Sequence, residues 1–227
     1  MARTATTRAE VAFSRLRADI LDGALPPGEK LPFAVLCERY GFSIGVIREA
    51  LSRLAELGLV VAEPQLGYRV IPLSVDDLED LTTTRCEIEG AALALSVQHG
   101  DLAWESSVVA AHHALERTPA VRPDGAAGIN PEWVALHRCF HAALLDGCPA
   151  PRLVSIAASL RDAAEVYRSW SFDAARPSAR DVAVEHRAML VAALDRDAAA
   201  AAQLLQEHLR STAEELIARF ANAMLNS

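Results

Sequence analysis

The stretch from Phe33 to Leu73 constrains the fold more than any other: two helix-forming runs meet at a glycine, and two β-rich runs follow at once. "FAVLCERYG" reads as a short helix stopped by Gly41. "FSIGVIREALSRLAELG" reads as a longer one, with Ser43 as N-cap and Gly58 as its C-terminal stop. Next come "LVVAE" and "YRVIPL", separated by "PQLG", a hairpin signal. Upstream, "TRAEVAFSRLRADILDG" sets Val11, Leu16, Ile20 and Leu21 near helical period and ends at Gly23, and "LPPGEKLP" is a turn cluster. The order is helix, helix, turn, helix, two-stranded wing. A short helix, a tight glycine turn and a longer arginine-bearing helix form a helix-turn-helix, whose expected work is DNA binding.

Beyond "PLSVDD", read as a brief linker, the pattern is almost wholly helical. Ser74 and Asp77 have capping-box spacing, so a new helix is expected to start there. The predicted helices run over roughly 75–98, 101–117, 131–146, 150–170, 179–195 and 197–223, with Ser178 and Asp197 as N-caps of the last two. "TPAVRPDGAAGINPE" is the main loop. The predicted fold is mainly α: a winged helix-turn-helix over 1–72 and an antiparallel helical bundle over 73–227. A chain of 227 residues, 52% hydrophobic and only 5% aromatic, fits that division, with a core of small and aliphatic side chains.

Net charge is −8, but residues 1–72 hold nine Lys/Arg against eight Asp/Glu while 73–227 hold thirteen against twenty-two. The asymmetry predicts two domains with different partners. No run of 18 uncharged apolar residues predicts a membrane span, and "MARTATTRAEVAFSRLRADI" lacks the apolar block of a secretion signal. Cys37, Cys86, Cys139 and Cys148 are scattered without a C-x-x-C pair. A reducing cytoplasm is the expected location.

A recognition helix needs side chains near its N-terminus that reach base edges and basic groups that hold phosphates. Arg48 and Arg53 are the basic candidates, each with a second reading as a solvated position on an amphipathic helix. Ser43 and the first backbone N–H groups of the helix suit a phosphate. Gly67, at the hairpin, lets a wing approach a groove closely or simply serves the turn. "IREALSRLAELGLVVAEPQLGYRV", preceded by "LPPGEKLP", resembles the winged helix-turn-helix of the GntR regulators. The resemblance implies an operator of double-stranded DNA, bound by a homodimer. Ser43-Ile44-Gly45-Val46 departs from the Ser-Arg-Thr-Pro opening common in that family, with Ile44 where a basic, DNA-contacting residue is usual.

His137 and His141 in "HRCFH" stand four apart, one turn along one helix face. That spacing lets two imidazoles reach one metal ion, and equally suits two half-buried ring fillers. His186 in "VEHRAML" and His208 in "QEHLRST" lie on the two final predicted helices, and a bundle can bring three helices to one point. His112 and His113 read as surface residues, His99 as a helix C-terminal residue. Glu185 and Glu207 each precede one of these histidines and are expected to point elsewhere.

The second domain resembles the helical ligand-binding domain of the FadR-type branch of GntR regulators, whose D-x-x-F-H, E-H and later histidine motifs bind a metal. By that resemblance His141, His186 and His208 are ligands, with His137 where aspartate is usual. Histidine there favours zinc or nickel over manganese. The branch implies a small carboxylate effector near the metal, and Arg85 resembles an arginine that pairs with it; the alternative for Arg85 is an ion pair with Glu89, four residues on. The expected function is a ligand-responsive transcription regulator, a repressor by the family's habit, and not an enzyme. Two alternatives remain at this level: a metal-dependent hydrolase-like enzyme, and a DNA-binding protein with a vestigial pocket.

Overall fold

The structure, a computed structural model, describes residues 7–63, 66–122, 129–171 and 180–225, with side chains to 168 and 219 in the last two segments. It forms two compact units, Met1–Ser74 with Asp162–Trp170, and Val75–Arg161 with Ser171–Ser227.

In the first unit, α1 (Arg8–Leu21) starts where the Thr7 hydroxyl accepts the Glu10 N–H, and buries Ala12, Leu16 and Ile20. Helix α2 (Phe33–Tyr40) ends at Gly41, whose φ of 70° is left-handed backbone that glycine adopts at no steric cost. Helix α3 (Ile44–Glu56) buries Ile47, Ala50, Leu51 and Leu54, a run of i, i+3, i+4 and i+7 that makes one continuous stripe. Strands β1 (Val60–Glu63) and β2 (Gly67–Val70) pair antiparallel in the register Val60↔Val70 to Glu63↔Gly67.

The "PPGEK" turn lies along β2: Leu31 N–H donates to the Tyr68 carbonyl at 2.8 Å, and Gly28 N–H to that of Val70 at 3.0 Å. Arg69 fastens the wing by donating to Glu63 at 2.8 Å and to the Gly28 carbonyl at 2.6 Å. Val166 completes this unit's core, fully buried among α1, α3 and wing residues, and Arg17 donates to Asp162 at 2.9 Å. The sequence division at 72/73 assigns that segment to the second domain; its apolar Val166 instead belongs to the first core.

The second unit is helical: α4 (Val75–His99), α5 (Leu102–Glu116), α6 (Pro131–Leu145), α7 (Pro151–Ser171, in part), α8 (Val182–Leu194) and α9 (Ala198–Leu225). Helix α4 packs on α9 and α6, α5 on α6 and α8, and α8 on α9. Leu93, Val108, Phe140, Leu144, Met189 and Leu205 fill the core, and the Trp104 indole N–H finds the Ala143 carbonyl at 2.9 Å. Asn130 caps α6 and Asp197 caps α9. Helix α8 is capped by Asp181; Ser178, the expected cap, lies outside the described residues. All four cysteines are free thiols, and among the described residues no helix is long and apolar enough to cross a membrane.

Candidate functional site

Three helices bring four histidines together. Helix α6 carries His137 and His141 one turn apart, α8 carries His186 and α9 carries His208. Their ring centres lie 4.5 Å (137–141), 5.0 Å (137–186), 5.0 Å (186–208) and 5.2 Å (141–208) apart. One nitrogen from each lies within 4.8 Å of the others. All four residues are buried, with exposures of 3–5%.

This donor set fits a metal ion. Four imidazoles whose nitrogen lone pairs converge in a buried space repel one another unless protons or a cation stand between them. Zn–N distances of about 2.1 Å let nitrogens that already lie within 4.8 Å of one another reach one ion after a small closure of the rings. His137, His141, His186 and His208 would hold the ion, which supplies a Lewis-acidic seat for an anionic oxygen.

Neighbouring groups orient these rings. Glu185 and His208 Nδ1 meet at 2.7 Å, and Arg180 donates through Nε to Glu185 at 2.9 Å. Burial opposes ionisation of Glu185, but the hydrogen bonds from His208 and Arg180 outweigh it and hold its carboxyl down to about 2. An ionised carboxylate only accepts, so Nδ1 of His208 carries the proton and Nε2 keeps its lone pair. Trp133, one turn before His137, stacks on it at 4.8 Å with 24° between the planes. A cavity of about 220 Å³ adjoins the cluster, lined by His112, Leu115, Ala120, Trp133, Val182 and His186 among others.

Several expectations change here. Glu185 does not point away: it braces His208, because α9 packs against that flank of α8. Glu207 does point elsewhere, exposed and hydrogen-bonded to Gln203. His112 is not a surface residue; it is 5% exposed, edge-on to Phe140 at 5.4 Å, whereas His113 is exposed. Arg85 takes its second reading, an ion pair with the fully buried Glu89 at 2.6 Å, and is absent from the cavity lining. Trp133 was legible by its i, i+4 spacing to His137; Arg180 had no signal in the sequence.

On the first unit, Ser43 stands at the N-cap of α3 without a side-chain capping bond, and Ile44 opens the helix 53% exposed. Gly45 and Arg48 are exposed, with the Arg48 guanidinium 5.3 Å from the Phe33 ring centre. Arg53 is held differently. It donates to Glu10 at 3.0 Å and lies over the Phe13 ring at 4.2 Å, so it ties α3 to α1. Gly67, with φ of 96°, opens β2.

Comparison with known proteins assigns this architecture. Residues 8–70 match the family of bacterial regulatory proteins called gntR, and residues 80–211 match the FCD domain. The chain is 38% identical over 203 residues to the uncharacterized HTH-type transcriptional regulator BphR of Paraburkholderia xenovorans, covering 89% of this chain and 82% of that one. It is 34% identical over 200 residues to the HTH-type transcriptional repressor GlaR of Escherichia coli, covering 86% and 89%. The solved structure of E. coli McbR/YncC shares the fold, with a TM-score of 0.79 at 20% identity over 95% of this chain and all of that one. These relatives are regulators, so the hydrolase-like alternative falls. The chain belongs to the GntR family of transcription regulators, with a C-terminal FCD domain.

Proposed function

We propose that this regulator is a cytoplasmic, ligand-responsive repressor whose second domain binds a divalent metal ion and a small carboxylate effector. The observation that carries the reading is the convergence of four buried histidines from three helices. An all-nitrogen donor set favours zinc or nickel over manganese, which prefers oxygen. Repression is favoured by the relative named a repressor, GlaR. Residues 1–72 read a double-stranded operator as a homodimer, two recognition helices meeting two half-sites, and 73–227 form the effector-binding and dimerisation domain. Ser43, Ile44, Gly45 and Arg48 at the exposed start of α3, with Gly67 on the wing, are the DNA-facing set. Arg53 serves that face indirectly, by fixing α3 on α1.

Effector binding and operator binding would then be coupled reciprocally, by a free energy of about 1–3 kcal/mol. The test joins elemental analysis of the purified protein to operator mobility shifts with and without small carboxylates. Bound zinc or nickel and a carboxylate-dependent shift are expected. Protein free of metal, or DNA binding indifferent to every carboxylate, would favour a vestigial pocket.

A further inference from the structure

The first turn of α3 is Ile44, Gly45, Val46 and Ile47, so it carries no side-chain hydrogen-bond donor or acceptor. Ile47 is buried in the core, whereas Ile44, 53% exposed, is the one large apolar side chain of α3 that stands in solvent. A single exposed isoleucine is ordinary on any surface. This one lies one turn before the exposed Arg48, on the same side of the helix. Gly45 beside it is also exposed, and the fold does not require a glycine there. Its backbone is not left-handed, and a Cβ at that position would meet nothing within 4 Å beyond its chain neighbours and its own helix backbone. Alanine in a helix is more stable than glycine, so folding alone would favour alanine at position 45. Close approach of the backbone to another molecule is what a glycine at such a place permits.

We propose that Ile44 meets the C5-methyl group of a thymine in each operator half-site, and that Gly45 lets the α3 backbone come close enough for that contact. This rests on α3 entering the major groove as the recognition helix of a homodimer. Each base pair shows donors and acceptors in that groove, and the thymine methyl is the one apolar group among them. An isoleucine laid against a cytosine amino group or a guanine carbonyl strips water from it and offers no bond in return. Against a thymine methyl the same side chain buries apolar surface on both partners. Both effects select thymine. A basic residue at this position, as is usual in the family, would instead favour guanine, whose O6 and N7 accept from it. The operator of this chain is therefore expected to carry thymine where Ile44 reaches it.

Operators are selected from a random pool of DNA duplexes by the full-length protein, and affinities are read by mobility shift. Deoxyuridine keeps every hydrogen-bonding group of thymidine and lacks only the methyl. In each half-site one thymine is expected whose replacement by deoxyuridine weakens binding about fourfold, and about fifteenfold when both half-sites are changed. With Ile44→Ala, whose side chain ends at Cβ, the same replacement should change affinity by less than about twofold. Gly45→Ala should raise the thermal midpoint and yet weaken operator binding by at least about fifteenfold, the loss of both methyl contacts. Thymines that all tolerate deoxyuridine, or a sensitive one whose effect persists in Ile44→Ala, would overturn the inference. So would a Gly45→Ala variant that binds as tightly as the unsubstituted protein. If the unsubstituted protein enriches no sequence, the placement of α3 in the groove falls, and this inference with it. The deoxyuridine series on the unsubstituted protein needs no variant, so it decides even if a substituted chain does not fold.

Discussion

Glu185 accepts a hydrogen bond from Nδ1 of His208 across the α8–α9 interface at 2.7 Å, while its neighbour His186 enters the histidine cluster. A carboxylate in that position fixes the tautomer and orientation of a ligating ring, and its loss commonly costs 10–100-fold in metal affinity. Glu185→Gln should therefore lower zinc affinity by about 10–100-fold in competition with a chromogenic chelator, with helical circular dichroism unchanged. Affinity equal to that of the unsubstituted protein would remove Glu185 from the site.

The four histidines should not be equivalent. His137 stands where aspartate is usual in the FadR-type branch and is packed against Trp133, whereas His186 is α8's one ring in the cluster. His186→Ala should lose more metal on dialysis than His137→Ala, as read by elemental analysis. Equal metal content in the two variants would contradict this ranking.

Removing the metal should destabilise the protein as removal of any ligand of the native state does. At a free metal concentration a thousandfold above Kd, the linkage is about 4 kcal/mol. Chelation should lower the thermal midpoint of zinc-loaded protein by several degrees, with restoration by zinc or nickel and not by manganese. A midpoint insensitive to chelator would count against a bound ion.

Two arginines on α3 should separate in their effects. Arg48 is exposed, so Arg48→Ala should weaken operator binding and reduce the salt slope by about one ion. Arg53 is tied to Glu10 and Phe13, so Arg53→Ala should cost about 1 kcal/mol of stability and leave the salt slope alone. Mobility shifts at several salt concentrations, paired with thermal melts, read both; a reversed pattern would exchange the two roles.

What the sequence made legible was set by local periodicity and caps. The stripe Ile47, Ala50, Leu51, Leu54 and the stop at Gly41 are written in one short run, and α3 and its turn follow from it. The helical period likewise put His137 and His141 on one face. It did not say which helix meets that face. His112 and His113 are alike as letters; α6 supplies Phe140 against the first and leaves the second in solvent. Glu185 was misread for the same reason, since the flank it occupies becomes functional only when α9 brings His208 to it. Val166 sits in the middle of a helical run with nothing local to assign it to the first core.

The adjacency of Glu185 and His186 gives the site an all-or-none dependence on the phase of α8. One residue inserted or deleted in that helix ahead of position 185 turns everything downstream by about 100° relative to the helix start. Such a change removes a donor and the brace of a second donor in one event, whereas a slip in α9 displaces only His208. If the cluster holds an ion, its occupancy would report the rotational setting of α8, and in related chains an indel within it should coincide with loss of the whole histidine set rather than of one member.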